Sequence, residues 1–213
     1  MLEEERRKLI QNREEEKEFR KLLSRILNGD MQLASSPLRI GITPNAIDCC
    51  IDNTGLDLII NKSVIDKCMR KEIRDDFGRQ TKKSGHGLTE QQINDIIWAI
   101  KRPVMIIKGS RSDTLAVMTD LKDIEDRYIF AYVAINMIGA TTNVNTILSA
   151  YGRDNIEQYL VKCIEQKAIL AINKEKVDAV CLSIGGHFSE ATAPINFDNT
   201  IAYSLESVKH IVD

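Results

Sequence analysis

The chain has 213 residues, 43% of them apolar and 28% charged, with 29 Lys and Arg against 31 Asp and Glu for a net charge of −2. That length supports one sizeable domain with appendages, and the near-neutral balance excludes a histone-like binder of polyanions. No apolar run approaches the ~18 residues of a membrane span, and the opening MLEEERRKLIQNREEEKEFRK is charged where a signal peptide would be apolar.

Residues 2–27 read as a helix. Phe19, Leu22, Leu23, Ile26 and Leu27 recur at helical spacing on one face, behind a Glu-, Arg- and Lys-rich stretch with many opposite charges four apart. This is a solvent-exposed helix, a coiled-coil fragment or the end of a linker helix. NGD at 28–30 stops it and ASSP at 34–37 reads as a linker. The compact domain is expected to begin near Leu38. Thr43 and Pro44 suit the N-cap and first position of a helix through NAIDCCI. DLIIN (57–61) is a strand candidate, and Val64, Ile65, Cys68, Met69 and Ile73 then follow helical spacing. The segment 78–87 is a polar, glycine-bracketed loop. Thr89 and Gln92 form a capping box opening a helix with Ile93, Ile96, Ile97 and Ile100 on its apolar face, and Pro103 stops it.

The periodicity then changes. Residues 104–108, 114–120, 128–135 and 144–151 are rich in β-branched and aromatic residues, with connections too short for crossover helices, so they are expected to pair antiparallel. An amphipathic helix at 152–166, a strand at 167–173 and a helix over KEKVDAVCLSI follow. The expected fold is α+β, an antiparallel sheet with helices packed on one face. The expected units are a charged helix and linker (1–37), the domain (38–180) and an unplaced tail (181–213).

The five cysteines (Cys49, Cys50, Cys68, Cys163 and Cys181) form no CxxC pair and read as reduced, mostly buried thiols of a cytosolic protein. The histidines His86, His187 and His210 are too scattered for a zinc site, so no metal is expected. Neither GxxxxGK[ST] nor GxGxxG occurs, which argues against nucleotide-triphosphate binding, and no cofactor is expected. From Lys62 to Arg111 there are 12 Lys and Arg against 6 Asp and Glu, which fits either a localised anion site or solvated helix faces.

Six pieces in order carry a family resemblance: GITPNAID, LIINKSVIDKCMRK, HGLTEQQINDI, AIKRPVMIIKGSRSDTLAVMTDLKD, NVNTILSAYGRDNIEQYL and KAILAINKEKV. From about Leu38 to Val180 the chain resembles the C-terminal domain of phage MuF-type head proteins, grouped with the phage-barnase-EndoU-colicin-RelE-like nucleases. The resemblance implies a barnase-like sheet and metal-independent RNA cleavage, in which the ribose 2′-hydroxyl attacks the adjacent phosphate. RNA is then the partner, with an immunity or antitoxin protein as a further candidate. The setting is the cytoplasm of a bacterial host, or carriage with the phage particle, and no membrane is involved.

That chemistry needs a base, an acid and a cation. His86, flanked by glycines that leave room for a ligand, is the acid or base, against a surface-loop alternative. Arg111, at a hairpin turn with Lys108 and Ser112, is the phosphate cation in the family setting, against a hairpin merely kept soluble by charge. Ser149 and Tyr151 project to one strand face as orienting hydroxyls, with Asn145 continuing that face. Tyr128, Phe130 and Tyr132 alternate onto one face as sheet core or base-stacking groups. The rival function is a non-catalytic RNA- or protein-binding module on the same fold.

Overall fold

The computed structural model describes residues 2–30, 35–51, 55–71, 73–79, 81, 84–139 and 142–183. In chain order these form α1 (Leu2–Leu27), β1 (Leu38–Ile42), α2 (Asn45–Asp48), β2 (Asp57–Ile60), α3 (Lys62–Met69) and α4 (Glu90–Lys101). There follow β3 (Met105–Lys108), β4 (Thr114–Lys122), β5 (Tyr128–Ile138), β6 (Asn143–Gly152), α5 (Ile156–Glu165), β7 (Ile169–Ile172) and α6 (Lys174–Ser183). His187, His210 and the tail from 185 onward lie outside the described residues.

The fold is α+β, as expected, around one seven-stranded sheet ordered β1-β2-β6-β5-β4-β3-β7. Every neighbouring pair is antiparallel except β2 with β6. The run from β3 to β6 is the anticipated meander, because each connection is too short to carry a crossover.

Helices cover both sheet faces rather than the one expected. Residues Thr114 to Thr119 of β4 are buried without alternation, which is only tolerable when both sides are packed. Ile106, Leu115, Val117, Ile129, Ala131 and Val133 point toward α1, α3 and α4. Met105, Ile107, Ala116, Met118, Tyr128 and Phe130 point toward Leu160 and Cys163 of α5 and Val180 of α6. Tyr128 and Phe130 are therefore core. The end of α1 also belongs to the core, with Phe19 at 1%, Leu23 at 0% and Ile26 at 2% exposure. Lys101 Nζ of α4 reaches Glu15 Oε2 of α1 at 2.9 Å, with both side chains largely shielded.

Local capping departs from the sequence reading once and follows it once. Thr43 does not cap α2, a single turn whose N-cap is Pro44. Its hydroxyl instead donates to Leu56 O at 2.8 Å and accepts from Asn145 Nδ2 at 2.9 Å, tying the sheet's edge to β6. The capping box at α4 forms as expected: Thr89 Oγ1 accepts from Gln92 N at 3.1 Å and Gln92 Oε1 from Thr89 N at 2.9 Å. Thr89→Ala should cost about 1 kcal/mol. Thermal unfolding followed by circular dichroism should show a fall of about 3 °C, with the site described next left intact.

Cys49, Cys50, Cys68 and Cys163 are unpaired, with Cys68 and Cys163 buried. Burial pushes the Cys68 thiol up to about 11, and its sulfur accepts the Ala150 N–H. This is the inert, reduced chemistry expected of a buried thiol.

Candidate functional site

A cleft of about 640 Å³ opens on the α5 side of the sheet, lined among others by Lys108, Tyr132, Tyr151, Arg153, Tyr159 and Lys162. Its position follows from the register of β5 and β6. Tyr132 pairs with Ser149 and Phe130 with Tyr151, so Ser149 and Tyr151 share the face of the Tyr128–Phe130–Tyr132 stripe. The sequence reading of those two hydroxyls as neighbours on one face thus has a structural basis.

His86 reaches the same place from the other side of the fold. Segment 84–88 returns along the end of α3. Gly85 N donates to Lys71 O, His86 N to Lys67 O, Gly87 N to Arg70 O and Leu88 N to Cys68 O, all within 2.8–3.2 Å. The flanking glycines serve this path rather than ligand access. A Cβ on Gly85 would lie 2.0 Å from Arg70 O, and Gly87 sits at φ +68°. The imidazole is 9% exposed, with Nε2 3.0 Å from Ser149 Oγ. Its ring packs 4.8 Å from that of Tyr151, which stacks in turn on Tyr132 at 5.0 Å. His86 and Ser149 therefore sit behind Tyr151, and the two tyrosines face the cleft.

The cation of this cluster is Arg153, which the sequence reading passed over. Its Nη1 donates to Tyr132 Oη at 2.6 Å, and its guanidinium lies 3.4 Å from the Tyr159 ring centroid. No carboxylate among the described residues pairs with it, so its charge stays available within the cleft. The signal was present: Ser149, Tyr151 and Arg153 lie two apart, the period of a strand face.

Burial pushes the Tyr132 phenol well above the usual tyrosine range, and the adjacent Tyr151 adds to the shift. Burial likewise takes Tyr159 up to about 12. Both phenols stay protonated near neutral pH.

The remaining candidates divide. Lys108 lines the cleft, together with Gly109 and Ser110. Arg111, one residue further along the turn, is exposed, does not line the cleft, and places Nε 3.2 Å from Asp113 Oδ1. Ser112 is exposed at the same tip. Asn145 is fully buried, donating to Thr43 Oγ1 and accepting from Asn136 N at 2.8 Å. It does not continue the Ser149 face. Val133 pairs with Ile147 while Tyr132 pairs with Ser149, so Leu148 is an extra residue that flips the alternation between them.

Residues 78–179 match the family model of the phage MuF C-terminal domain. The matched stretch covers just under half of the chain and includes His86, the cleft-lining strands and α5. Over that stretch the chain is similar to a phage-associated family. The MuF match leaves α1, β1, α2, β2 and α3 outside it. No curated protein and no solved structure matches the chain. Among the described residues no helix is long and apolar enough to cross a membrane, and no group of three or more His, Cys, Asp and Glu could hold a metal ion.

Proposed function

We propose that this cleft binds single-stranded RNA and that the chain is a metal-independent endoribonuclease. The observation that carries this reading is Arg153: a guanidinium with no carboxylate partner among the described residues, stacked on Tyr159 and fixed by Tyr132, in a cleft lined by Lys108 and Lys162. A planar fork held in that way suits a phosphate, and the lysines add charge along its path.

In the step proposed, the ribose 2′-oxygen attacks the adjacent phosphorus, forming a 2′,3′-cyclic phosphate as the bond to the 5′-oxygen breaks. The 2′ proton goes to the His86–Ser149 pair, and Tyr151, whose ring lines the cleft, protonates the leaving 5′-oxygen. Arg153 neutralises the charge that builds on the phosphorane. The 2′-hydroxyl must enter along the Tyr151 edge, because His86 lies behind that ring.

The similarity to a phage-associated domain supports a setting in an infected bacterial host, in its cytoplasm or carried with the particle. An immunity or antitoxin protein as inhibitory partner belongs to the same reading. A second reading, RNA binding without turnover, is favoured by the 9% exposure of His86 and its engagement with Ser149. Incubation of the purified chain with cellular RNA in EDTA separates the two. Fragments ending in cyclic phosphate are expected. Salt-dependent binding with intact RNA would leave only the second reading.

A further inference from the structure

Beside Arg153 stands the residue best placed to cancel its charge. Asp154 follows it in sequence and is the one carboxylate among the described residues that line the cleft. Two such neighbours in one cleft can pair, and an arginine with a carboxylate at hand must give it up before it can take a phosphate. Yet Asp154 is not turned to Arg153. Its Oδ1 accepts from Arg127 Nη1 and its Oδ2 from Arg74 Nη2, both at 3.3 Å, so each oxygen is engaged by another guanidinium.

Arg127 is itself fixed. Its Nε and Nη2 lie 2.7 Å and 2.6 Å from Asp123 Oδ2, and the two side chains are 12% and 2% exposed. Asp123 Oδ1 accepts from Glu125 N at 2.9 Å and Arg127 N at 3.0 Å, while Asp123 N donates to Arg127 O at 2.9 Å. The turn between β4 and β5 therefore clamps the guanidinium through side chain and backbone together. Nη1 is the nitrogen left facing outward, and it meets Asp154 and, at 3.0 Å, Glu125 Oε2. The end of β6 is pressed onto this pair. A Cβ on Gly152 would lie 1.9 Å from Asp123 Oδ2, and Arg153 follows directly, its N–H donating to Tyr128 O at 3.0 Å. The buried pair thus sets the course of the chain through Arg153 and Asp154, and it also supplies the guanidinium that takes the carboxylate.

We infer that the Asp123–Arg127 pair is a positioning unit: it withholds Asp154 from Arg153 and so keeps the cation of the cleft open to a phosphate. The inference rests on the phosphate role proposed for Arg153 and extends it to residues that do not line the cleft. Arg74 assists from the other side, though its pair with Asp154 is more exposed and contributes less. Pairing with Asp154 takes little further freedom from Arg127, whose guanidinium is already held, and a shielded donor is only weakly screened by salt. Without this unit the carboxylate is free to swing onto its neighbour and to compete with the phosphate for the same planar fork.

The test uses the full chain and a single strand of 2′-O-methyl RNA, which binds without being cut, with affinity read by fluorescence anisotropy. Asp123→Asn combined with Arg127→Gln removes the pair without changing net charge and leaves no buried carboxylate unpaired. This release variant should bind about ten-fold more weakly than wild type. Asp154→Asn alone should bind about two-fold more tightly, since the charge it removes is already paired. Added to the release variant, it should bring affinity to within about two-fold of Asp154→Asn alone. A merely structural loss would not be rescued by that third change. Should the release variant fail to fold in thermal unfolding, Arg74→Gln takes its place, and Asp154→Asn should then gain more in that background than in wild type. If Asp154→Asn changes affinity by the same factor in both backgrounds while Arg153→Gln still weakens binding, the inference is overturned and the phosphate role of Arg153 stands. If Arg153→Gln binds as wild type does, the phosphate role falls and the inference falls with it.

Discussion

Arg153→Gln should weaken RNA binding about 100-fold, the loss expected when a charge-assisted phosphate contact of some 3 kcal/mol is removed. The salt dependence of binding should also become shallower by about one unit of slope, because one fewer phosphate counterion is released. Arg153→Lys should recover only part of the affinity. An ammonium restores the charge but neither the planar fork nor the stack on Tyr159, which lies 3.4 Å below the guanidinium. The matched control is Arg111→Gln. Arg111 faces Asp113 on an exposed turn and does not line the cleft, so its loss should change affinity little. The opposite pattern, with Arg111→Gln damaging and Arg153→Gln silent, would move the phosphate to the hairpin tip and sink the cleft assignment. Filter binding or anisotropy across a salt series reads both quantities.

Much of this site could be read along the strands but not across them. The meander from β3 to β6 was legible because its strands are runs of β-branched and aromatic residues joined by turns too short for anything but antiparallel pairing. The capping box of α4 was legible because it is purely local. Faces were harder. The side assigned to Asn145 depended on unbroken alternation, and Leu148 breaks it, an event set by pairing with β5 rather than by composition. The second helical layer did leave a trace in the sequence: the unbroken apolar run of β4 belongs to a strand covered on both sides.

The choice between the two arginines was decided by partners far apart in the chain. Asp113 stands two residues from Arg111, whereas Tyr132, 21 residues before Arg153, reaches it only through the fold. The glycines beside His86 suggested open space for a ligand. They instead let a segment pass against the backbone of α3, a contact between residues well separated in sequence.

His86→Asn should separate binding from chemistry. If the His86–Ser149 pair accepts the 2′ proton, cleavage should fall about 1,000-fold, within the range general-base removal produces. Affinity for uncut 2′-O-methyl RNA should stay within about three-fold, since neither residue lines the cleft. Ser149→Ala is the companion, because it removes the hydroxyl at 3.0 Å while keeping the ring that packs on Tyr151. A relay through Ser149 predicts a large loss of turnover in both variants. A base acting directly predicts a loss mainly in His86→Asn. A residue that only props up Tyr151 would show another signature: binding and turnover would fall together in His86→Asn, and Ser149→Ala would behave as wild type. If both variants cut RNA at the wild-type rate, the imidazole has no part in the chemistry. The cleft would then keep its anion site while losing its proposed base.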